Sequence, residues 1–267
     1  MKLIFTKSFL TKLFFCLFFI FSFNSKLIAG ETGPGPGAKY PKRYKTGKVY
    51  VLSIGIDEYF GFKLGNCKND AKEFINIIKD DFIKHGGNDS LIISYLLLDS
   101  IATKENILKA LNDIISKAKP EDFFFFNFAG VSSELLDSSG LNDVYFYPYL
   151  NYDLKWGKSP DFFTTKDKIS LTEFRNLADF IIAKQQLMLS EAGFTPNFQK
   201  LFIKSMIESS PTISDLTHRN RVLLLPRKVV YEGIKCDNKF NTYGPIMYYL
   251  NRLSVSNQVN LFDLFSD

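Results

Sequence analysis

Apolar and polar residues alternate along the chain in blocks that predict β-strands separated by helices. Residues 49–56 (VYVLSIGI), 91–98 (LIISYLLL) and 122–128 (DFFFFNF) are short and almost wholly apolar, which is typical of strands buried on both faces. Two further strands are predicted at residues 186–189 and 221–225. Because helical crossovers join these strands, we expect an α/β fold with a doubly wound, mainly parallel sheet and helices on both faces.

The segments between the strands carry apolar residues at helical spacing. The helix predicted over residues 70–82 would bury Ala71, Phe74, Ile75, Ile78 and Phe82. The next helix would bury Ile107, Ala110, Leu111, Ile114 and Ala118. Polar residues mark two helix starts, since Thr103 can cap the second helix and Ser170 forms a capping box with Glu173.

The first 29 residues differ from the rest and predict a secretory signal peptide over residues 1–29. Lys2, Lys7 and Lys12 give a positive start, and residues 13–23 form an apolar run of 11 residues. A helix needs about 20 apolar residues to cross the hydrocarbon core, so a cleaved signal is favoured. An uncleaved membrane anchor stays open as the alternative. We therefore expect an exported protein, periplasmic or secreted, with no membrane attachment after signal removal.

The sequence after the leader predicts one folded domain, and no cofactor is expected. Residues 30–47 begin with alternating glycine and proline and then turn basic, which predicts a flexible arm ahead of a domain over residues 48–267. The formal net charge is +5, but four lysines lie in the acid-free leader, and their removal leaves +1. No nucleic acid partner is expected, because nucleic acid binding needs clustered basic residues. The cysteines and histidines lack metal-ligand spacing, so no metal is expected either.

Several segments of the predicted domain carry short motifs in a recognisable order. They are residues 51–59 (VLSIGIDEY), 64–71 (LGNCKNDA), 96–107 (LLLDSIATKENI) and 241–250 (NTYGPIMYYL). In this order they resemble the caspase and metacaspase superfamily of cysteine peptidases, whose first strand is followed by an L-x-G-C-x-N-D-A turn. Asn66 departs from that turn, since it stands where the family has glycine. The resemblance implies a caspase-like three-layer sandwich with a substrate groove over the strand ends.

The same resemblance implies a catalytic dyad, which this sequence lacks. In the family the third strand ends in S-G-H-G, whose histidine is the general base, and Val131 stands at that position here. The fourth strand ends in D-x-C-H-S-G, whose cysteine is the nucleophile, and Ala192 stands at that position. Valine and alanine side chains can neither ionise nor hydrogen-bond, so we expect no intact catalytic residue. The implied groove is lined by Gly130, Ser132, Ser190 and Glu191.

The other thiols and imidazoles are not expected to replace the dyad. His85 precedes the second strand and His218 the fifth, and loops that enter parallel strands lie at the edge opposite the strand ends. Cys67 matches a family cysteine that is not the nucleophile, so we interpret it as a structural thiol. Cys236 follows the fifth strand, and a Cys67–Cys236 disulfide stays open in an oxidising compartment.

Three hypotheses of function follow. The favoured one is an exported, catalytically inactive pseudopeptidase that binds a peptide or protein segment or regulates another protein. The second is an active caspase- or metacaspase-like cysteine endopeptidase whose catalytic groups lie elsewhere. Ser132, Ser133 and Ser190 are expected to be solvated turn residues and not replacement nucleophiles. The third is an unrelated doubly wound ligand-binding domain, although the acidic turn at Asp57 and Glu58 argues against a phosphate loop.

Overall fold

The computed structural model describes most of the predicted domain. It covers residues 47–59, 62–136, 139–150, 165–183, 185–192 and 220–224, and single positions 201, 206, 247, 250, 251, 261 and 262. All of these belong to one of the two units into which the chain divides, Pro41–Asp267. The predicted signal peptide and the arm up to residue 46 lie outside the described residues and stay predictions. Among the helices that the structure describes, none has the length and apolarity needed to span a bilayer.

A parallel sheet forms the centre of the described fold. Its five strands are β1 (Val49–Gly55), β4 (Ile92–Leu98), β5 (Phe123–Ala129), β9 (Gln185–Ser190) and β10 (Asn220–Leu224). They lie in the order β10-β9-β5-β1-β4, and each neighbouring pair is parallel. The chain runs outward from β1 to β4 and then returns to β5 on the other side of β1. Ligands of such sheets bind outside the carboxyl ends of the strands, where the winding reverses.

Burial follows the apolar pattern of the strands. Every residue of β1, β5 and β9 is buried, as expected for strands with neighbours on both sides and helices on both faces. β4 is less buried, because it pairs with β1 alone among the described strands and so forms an edge. The predicted doubly wound α/β class is confirmed.

Three helices pack on the two faces of this sheet. They are α1 (Cys67–Lys84), α2 (Lys104–Lys117) and α3 (Leu171–Ala178). On one face, the Ser53 hydroxyl of β1 donates a hydrogen bond to the Ala71 carbonyl of α1 at 2.8 Å. On the other face, one hydrophobic core joins the neighbouring strand residues to α2 and α3. Its members include Tyr50, Leu52, Ile54, Ile107, Leu111, Ile114 and Phe174.

The predicted inward faces and caps are largely confirmed. Thr103 Oγ1 accepts a hydrogen bond from Asn106 N at 3.2 Å, and Ser170 Oγ accepts one from Glu173 N at 2.9 Å. All five apolar residues predicted for the inner face of α2 are buried. On α1, Ile75 is only half-buried.

Two small antiparallel sheets complete the described fold. One consists of β2 (Glu58–Tyr59) and β3 (Phe62–Lys63), and the other of β6 (Ser132–Leu136), β7 (Asn142–Phe146) and β8 (Ile169–Ser170). The three-stranded sheet lies in a stretch for which the sequence predicted only a polar connection. Phe146 anchors it to the core, with its ring centroid 4.6 Å from that of Phe128 in β5. The loop between β5 and β6 is thereby held at the carboxyl edge of the central sheet.

Candidate functional site

The two positions that the sequence assigned to the missing dyad lie at the carboxyl edge of neighbouring strands. Val131 comes two residues after β5, and Ala192 comes two residues after β9. Phe128 of β5 is in register with Ser190 of β9, and the amide of Glu191 donates a hydrogen bond to the Phe128 carbonyl at 2.9 Å. Ala192 is buried and Val131 is half-buried. The backbone therefore brings these two strand ends side by side.

A tyrosine hydroxyl fixes the backbone around Val131. The Val131 amide donates a hydrogen bond to the Tyr59 hydroxyl at 2.9 Å, and this hydroxyl donates to the Tyr147 carbonyl at 3.2 Å. The Tyr147 amide in turn donates to the Val131 carbonyl at 3.0 Å. Gly130 is required here, because a Cβ at this position would overlap the Tyr59 hydroxyl oxygen. Burial raises the pKa of Tyr59 well above its ordinary value. The hydrogen bond from the Val131 amide lowers this pKa, but burial has the larger effect, so the hydroxyl keeps its proton.

A second network joins the ends of β1 and β4 next to this tyrosine. Asp99 Oδ1 accepts hydrogen bonds from the amides of Asp57 at 2.8 Å and Glu58 at 3.1 Å. Asp99 Oδ2 lies 2.7 Å from Lys68 Nζ. Burial disfavours the charged form of Asp99, but Lys68 and the two amides outweigh it and hold the pKa of this carboxyl below its usual value. Asp99 has a φ of 40°, a left-handed conformation that these bonds stabilise.

Cys67 is the described thiol at this edge, and its surroundings are acidic. It begins α1, its amide donates to Asp57 Oδ1 at 2.8 Å, and its half-buried thiol is free. Burial raises the pKa of Cys67 well above the ordinary value, and the charges of Asp57, Asp70 and Glu191 raise it further. A reactive cysteine needs a positive environment that stabilises the thiolate, and Cys67 has the opposite. Its position therefore supports a structural role.

Within the described part of the chain, the imidazole is far from this thiol. His85 follows the last residue of α1, and its Nδ1 lies 2.6 Å from the Asp81 carbonyl oxygen. A helix rises 1.5 Å per residue, so His85 lies about 27 Å along the axis from Cys67. It is at the opposite edge of the sheet, as expected. His218 lies outside the described residues.

Comparison with known proteins finds a similarity to one family over part of the chain. Residues 50–155 match the family model described as the metacaspase, peptidase C14 domain. This part of the chain is similar to metacaspases. The match begins in β1 and includes Val131, whereas Ala192 lies beyond it and is placed by the β5–β9 register. This similarity argues against the alternative of an unrelated ligand-binding domain.

Curated metacaspases match about two fifths of this chain. Metacaspase-1 of Pyricularia oryzae is 30% identical over 119 residues, which is 42% of this chain and 30% of that protein. Metacaspase-1 of Ajellomyces capsulatus is 32% identical over 128 residues, with coverages of 44% and 35%. Metacaspase-1B of Neurospora crassa is 31% identical over 116 residues, with coverages of 41% and 27%. The matched part thus spans about a third or less of these relatives' length.

One solved structure aligns with about half of the chain. A protein of Geobacter sulfurreducens aligns with a TM-score of 0.40 and 18% sequence identity, covering 54% of this chain and 50% of that one. A similarity at this level supports no argument about function.

The structure corrects the expectation for the three serines. Ser132 and Ser190 are buried and Ser133 is half-buried, whereas all three were expected to be solvated turn residues. Ser132 and Ser133 belong to β6, which pairs with β7, and Ser190 lies in the interior of the sheet on β9. Ser133 Oγ is hydrogen-bonded to the Tyr147 hydroxyl at 2.8 Å, and Ser190 Oγ is enclosed without a hydrogen-bond partner.

The other two predicted groove residues, Gly130 and Glu191, pack at the ends of the strands. Gly130 is buried beneath Tyr59. Glu191 is half-buried, and its Oε1 accepts a hydrogen bond from the Met247 amide at 2.8 Å. Cys236 lies outside the described residues, so the alternative of a Cys67–Cys236 disulfide stays open. Among the described residues no group of three or more His, Cys, Asp or Glu side chains could hold a metal ion.

Proposed function

We propose that this protein is a catalytically inactive metacaspase-like module that binds a peptide or protein segment at the carboxyl edge of its sheet. The proposal rests on the side chains at the two positions of the dyad. The residues at the two positions that the family resemblance assigns to the dyad are aliphatic, Val131 and Ala192. Peptide hydrolysis by this family requires a thiolate that attacks the carbonyl and an imidazole that manages the protons.

The surroundings of these two positions also support the proposal. The described thiol near the edge, Cys67, has a raised pKa and therefore remains a neutral thiol near pH 7. The described imidazole, His85, belongs to the opposite end of α1. The Tyr59 hydroxyl holds the backbone of Val131 in place. Such an edge offers a rigid surface to a partner, and its described residues include no nucleophile–base pair.

Export is a separate part of the proposal and rests on the leader alone. Residues 1–29 carry a positive start, a short apolar run and a small residue, Ala29, at the expected cleavage point. Cell fractionation followed by amino-terminal sequencing of the exported chain tests this part. A mature chain that starts near Gly30 is expected, and a full-length chain retained in the membrane would contradict it.

Hydrolysis of peptide reporters tests the proposed loss of activity. The full chain is incubated with arginyl, lysyl and aspartyl fluorogenic peptides, and we expect no release above that of a heat-inactivated sample. The matched variant carries Val131→His and Ala192→Cys, which is expected to restore a trace of hydrolysis because the backbone already brings the two positions side by side. Hydrolysis by the unmodified chain would contradict the proposal.

An active cysteine endopeptidase is the second candidate, since Cys67 lies at the same edge as the assigned dyad positions. Under that hypothesis Cys67→Ala or Cys236→Ala abolishes reporter hydrolysis. Under the first proposal the unmodified chain does not hydrolyse the reporters, so neither substitution changes the result.

A further inference from the structure

A largely enclosed lysine side chain lies close to the loop that carries Val131. Lys168 is only 4% exposed, and its Nζ lies 4.6 Å from the centroid of the Tyr147 ring. Within the described part of the chain, none of the ion pairs includes Lys168. Removing an ammonium from water is costly unless a counter-ion accompanies it, and an aromatic face compensates only part of that cost. The positive charge of Lys168 is therefore only partly compensated by the described residues.

The protein holds both parts of this site rigidly. Lys104 Nζ donates hydrogen bonds to the carbonyls of Lys168 at 2.7 Å and Lys166 at 3.2 Å, and the Glu173 carboxylate at 2.9 Å neutralises Lys104. The Tyr147 ring is fixed through its hydroxyl, which is hydrogen-bonded to Ser133. The backbone that carries Lys168 and the Tyr147 ring are thus positioned before any ligand arrives, which lowers the entropic cost of binding.

The site adjoins the position that the family resemblance gives to the catalytic histidine. In the small sheet Phe146 of β7 is in register with Ile169 of β8, so the next antiparallel pair brings Tyr147 beside Lys168. On its other side, Tyr147 donates its amide hydrogen bond to the Val131 carbonyl. Val131, Tyr147 and Lys168 therefore follow one another across the end of this sheet.

The ammonium remains reachable from solvent. Three polar side-chain atoms of the described residues are fully enclosed without a hydrogen-bond partner. They are Asn127 Oδ1, Arg175 Nε and Ser190 Oγ, and Lys168 Nζ is not one of them. An anion can therefore approach the ammonium along its small exposed surface.

We propose that Lys168 binds a carboxylate carried by the peptide or protein segment that the proposed function assigns to this edge. The inference rests on that proposed function, because the ligand reaches Lys168 while it lies beside Val131. The carboxylate supplies the counter-ion that Lys168 lacks among the described residues, and a charge-assisted hydrogen bond from Nζ fixes its position. An acidic side chain and a free peptide carboxyl terminus carry the same chemistry.

Peptide pools that differ in one group test the proposal on the full chain by fluorescence anisotropy. The first pool has a fixed Glu and an amidated carboxyl terminus, the second has Gln and the amide, and the third has Gln and a free terminal carboxylate. We expect the first or third pool to bind at least tenfold more tightly than the second. The pool that does so identifies the source of the carboxylate.

Variants then assign the preference to Lys168. Lys168→Met is expected to reduce the ratio between acidic and amide pools to about one, whereas Lys168→Arg retains it. Lys109→Met removes an exposed lysine of α2 and is the matched control, for which the ratio stays unchanged. Should Lys168→Met fail to fold, the unmodified chain still decides, because added salt must weaken binding of the acidic pool and leave the amide pool unaffected.

Each outcome separates this inference from the proposed function. Equal binding of acidic and amide pools overturns the carboxylate site and leaves the binding module intact. An acid preference that survives Lys168→Met also overturns it. Absence of binding by every pool overturns both the inference and the binding part of the proposed function, and hydrolysis of the reporter peptides overturns the loss of activity alone.

Discussion

An added methyl group at Gly130 probes the packing around Val131. A Cβ there would overlap the Tyr59 hydroxyl oxygen and lie 3.1 Å from Phe128 Cε1. Neither neighbour can move freely, because the Tyr59 hydroxyl is bound to Val131 N and Tyr147 O and the Phe128 ring packs against another buried ring. We therefore expect Gly130→Ala to lower the free energy of unfolding by about 2–3 kcal/mol, in the upper part of the range for overpacked cores.

Urea denaturation followed by circular dichroism measures this loss. Gly65→Ala is the matched control, since a Cβ at Gly65 meets nothing within 4 Å, and its effect should stay below about 0.5 kcal/mol. Tyr59→Phe alone should cost about 2 kcal/mol, because it removes two hydrogen bonds at about 1 kcal/mol each.

The double variant decides whether the overlap is the cause. Tyr59→Phe removes the oxygen that the added methyl group would meet, so in combination with Gly130→Ala the two losses should fall short of their sum by about 1 kcal/mol. Fully additive losses, or a Gly130→Ala variant as stable as Gly65→Ala, would show that the Tyr59 hydroxyl does not lie over Gly130.

Two smaller predictions concern the thiol at the edge and a helix cap. In a variant whose other two cysteines are serine, alkylation of Cys67 by iodoacetamide should still accelerate above about pH 8.5, the ordinary pKa of cysteine, because burial and Asp57 raise its pKa. Asp57→Asn should shift this profile to lower pH, and a plateau below that pH in the parent would refute the argument. Ser170→Ala should cost about 1 kcal/mol in thermal or urea denaturation, because Ser170 Oγ caps Glu173 N. Ser116→Ala, on the exposed side of α2, should be nearly neutral, and equal losses would contradict the capping role.

The central sheet was predictable because its signal is local. β1 and β5 are buried on both faces, so their residues are apolar whichever strands they pair with. The start of α1 was less predictable. Asn66, at the cap position, makes no side-chain cap hydrogen bond, and the first amide of the helix is bound by Asp57, ten residues earlier in the chain. A capping partner at that distance leaves no motif, so apolar spacing placed the helix start at residue 70 when it begins at Cys67.

The sequence predicted where the candidate site lies, but it did not predict which polar residues are buried around it. The order of strands and motifs indicated that Val131 and Ala192 belong to one edge, and the β5–β9 register brings them there. The burial of Ser190 and Lys168 depends on pairing between segments far apart in the chain. Polar residues in a polar stretch give no sign of such pairing, so the small sheet, and with it Lys168, was missed.

Covalent labelling tests the absence of a nucleophile at this edge most directly. The full chain is incubated with peptidyl chloromethyl ketones ending in arginine, lysine or aspartate, and intact-mass spectrometry follows the adducts in native and urea-unfolded samples. We predict that the native protein is labelled no faster than the unfolded one, since burial and nearby carboxylates raise the pKa of the described thiol, Cys67. Rapid, single-site labelling of the native protein, mapped to Cys67 or Cys236, would show an active nucleophile and contradict the account.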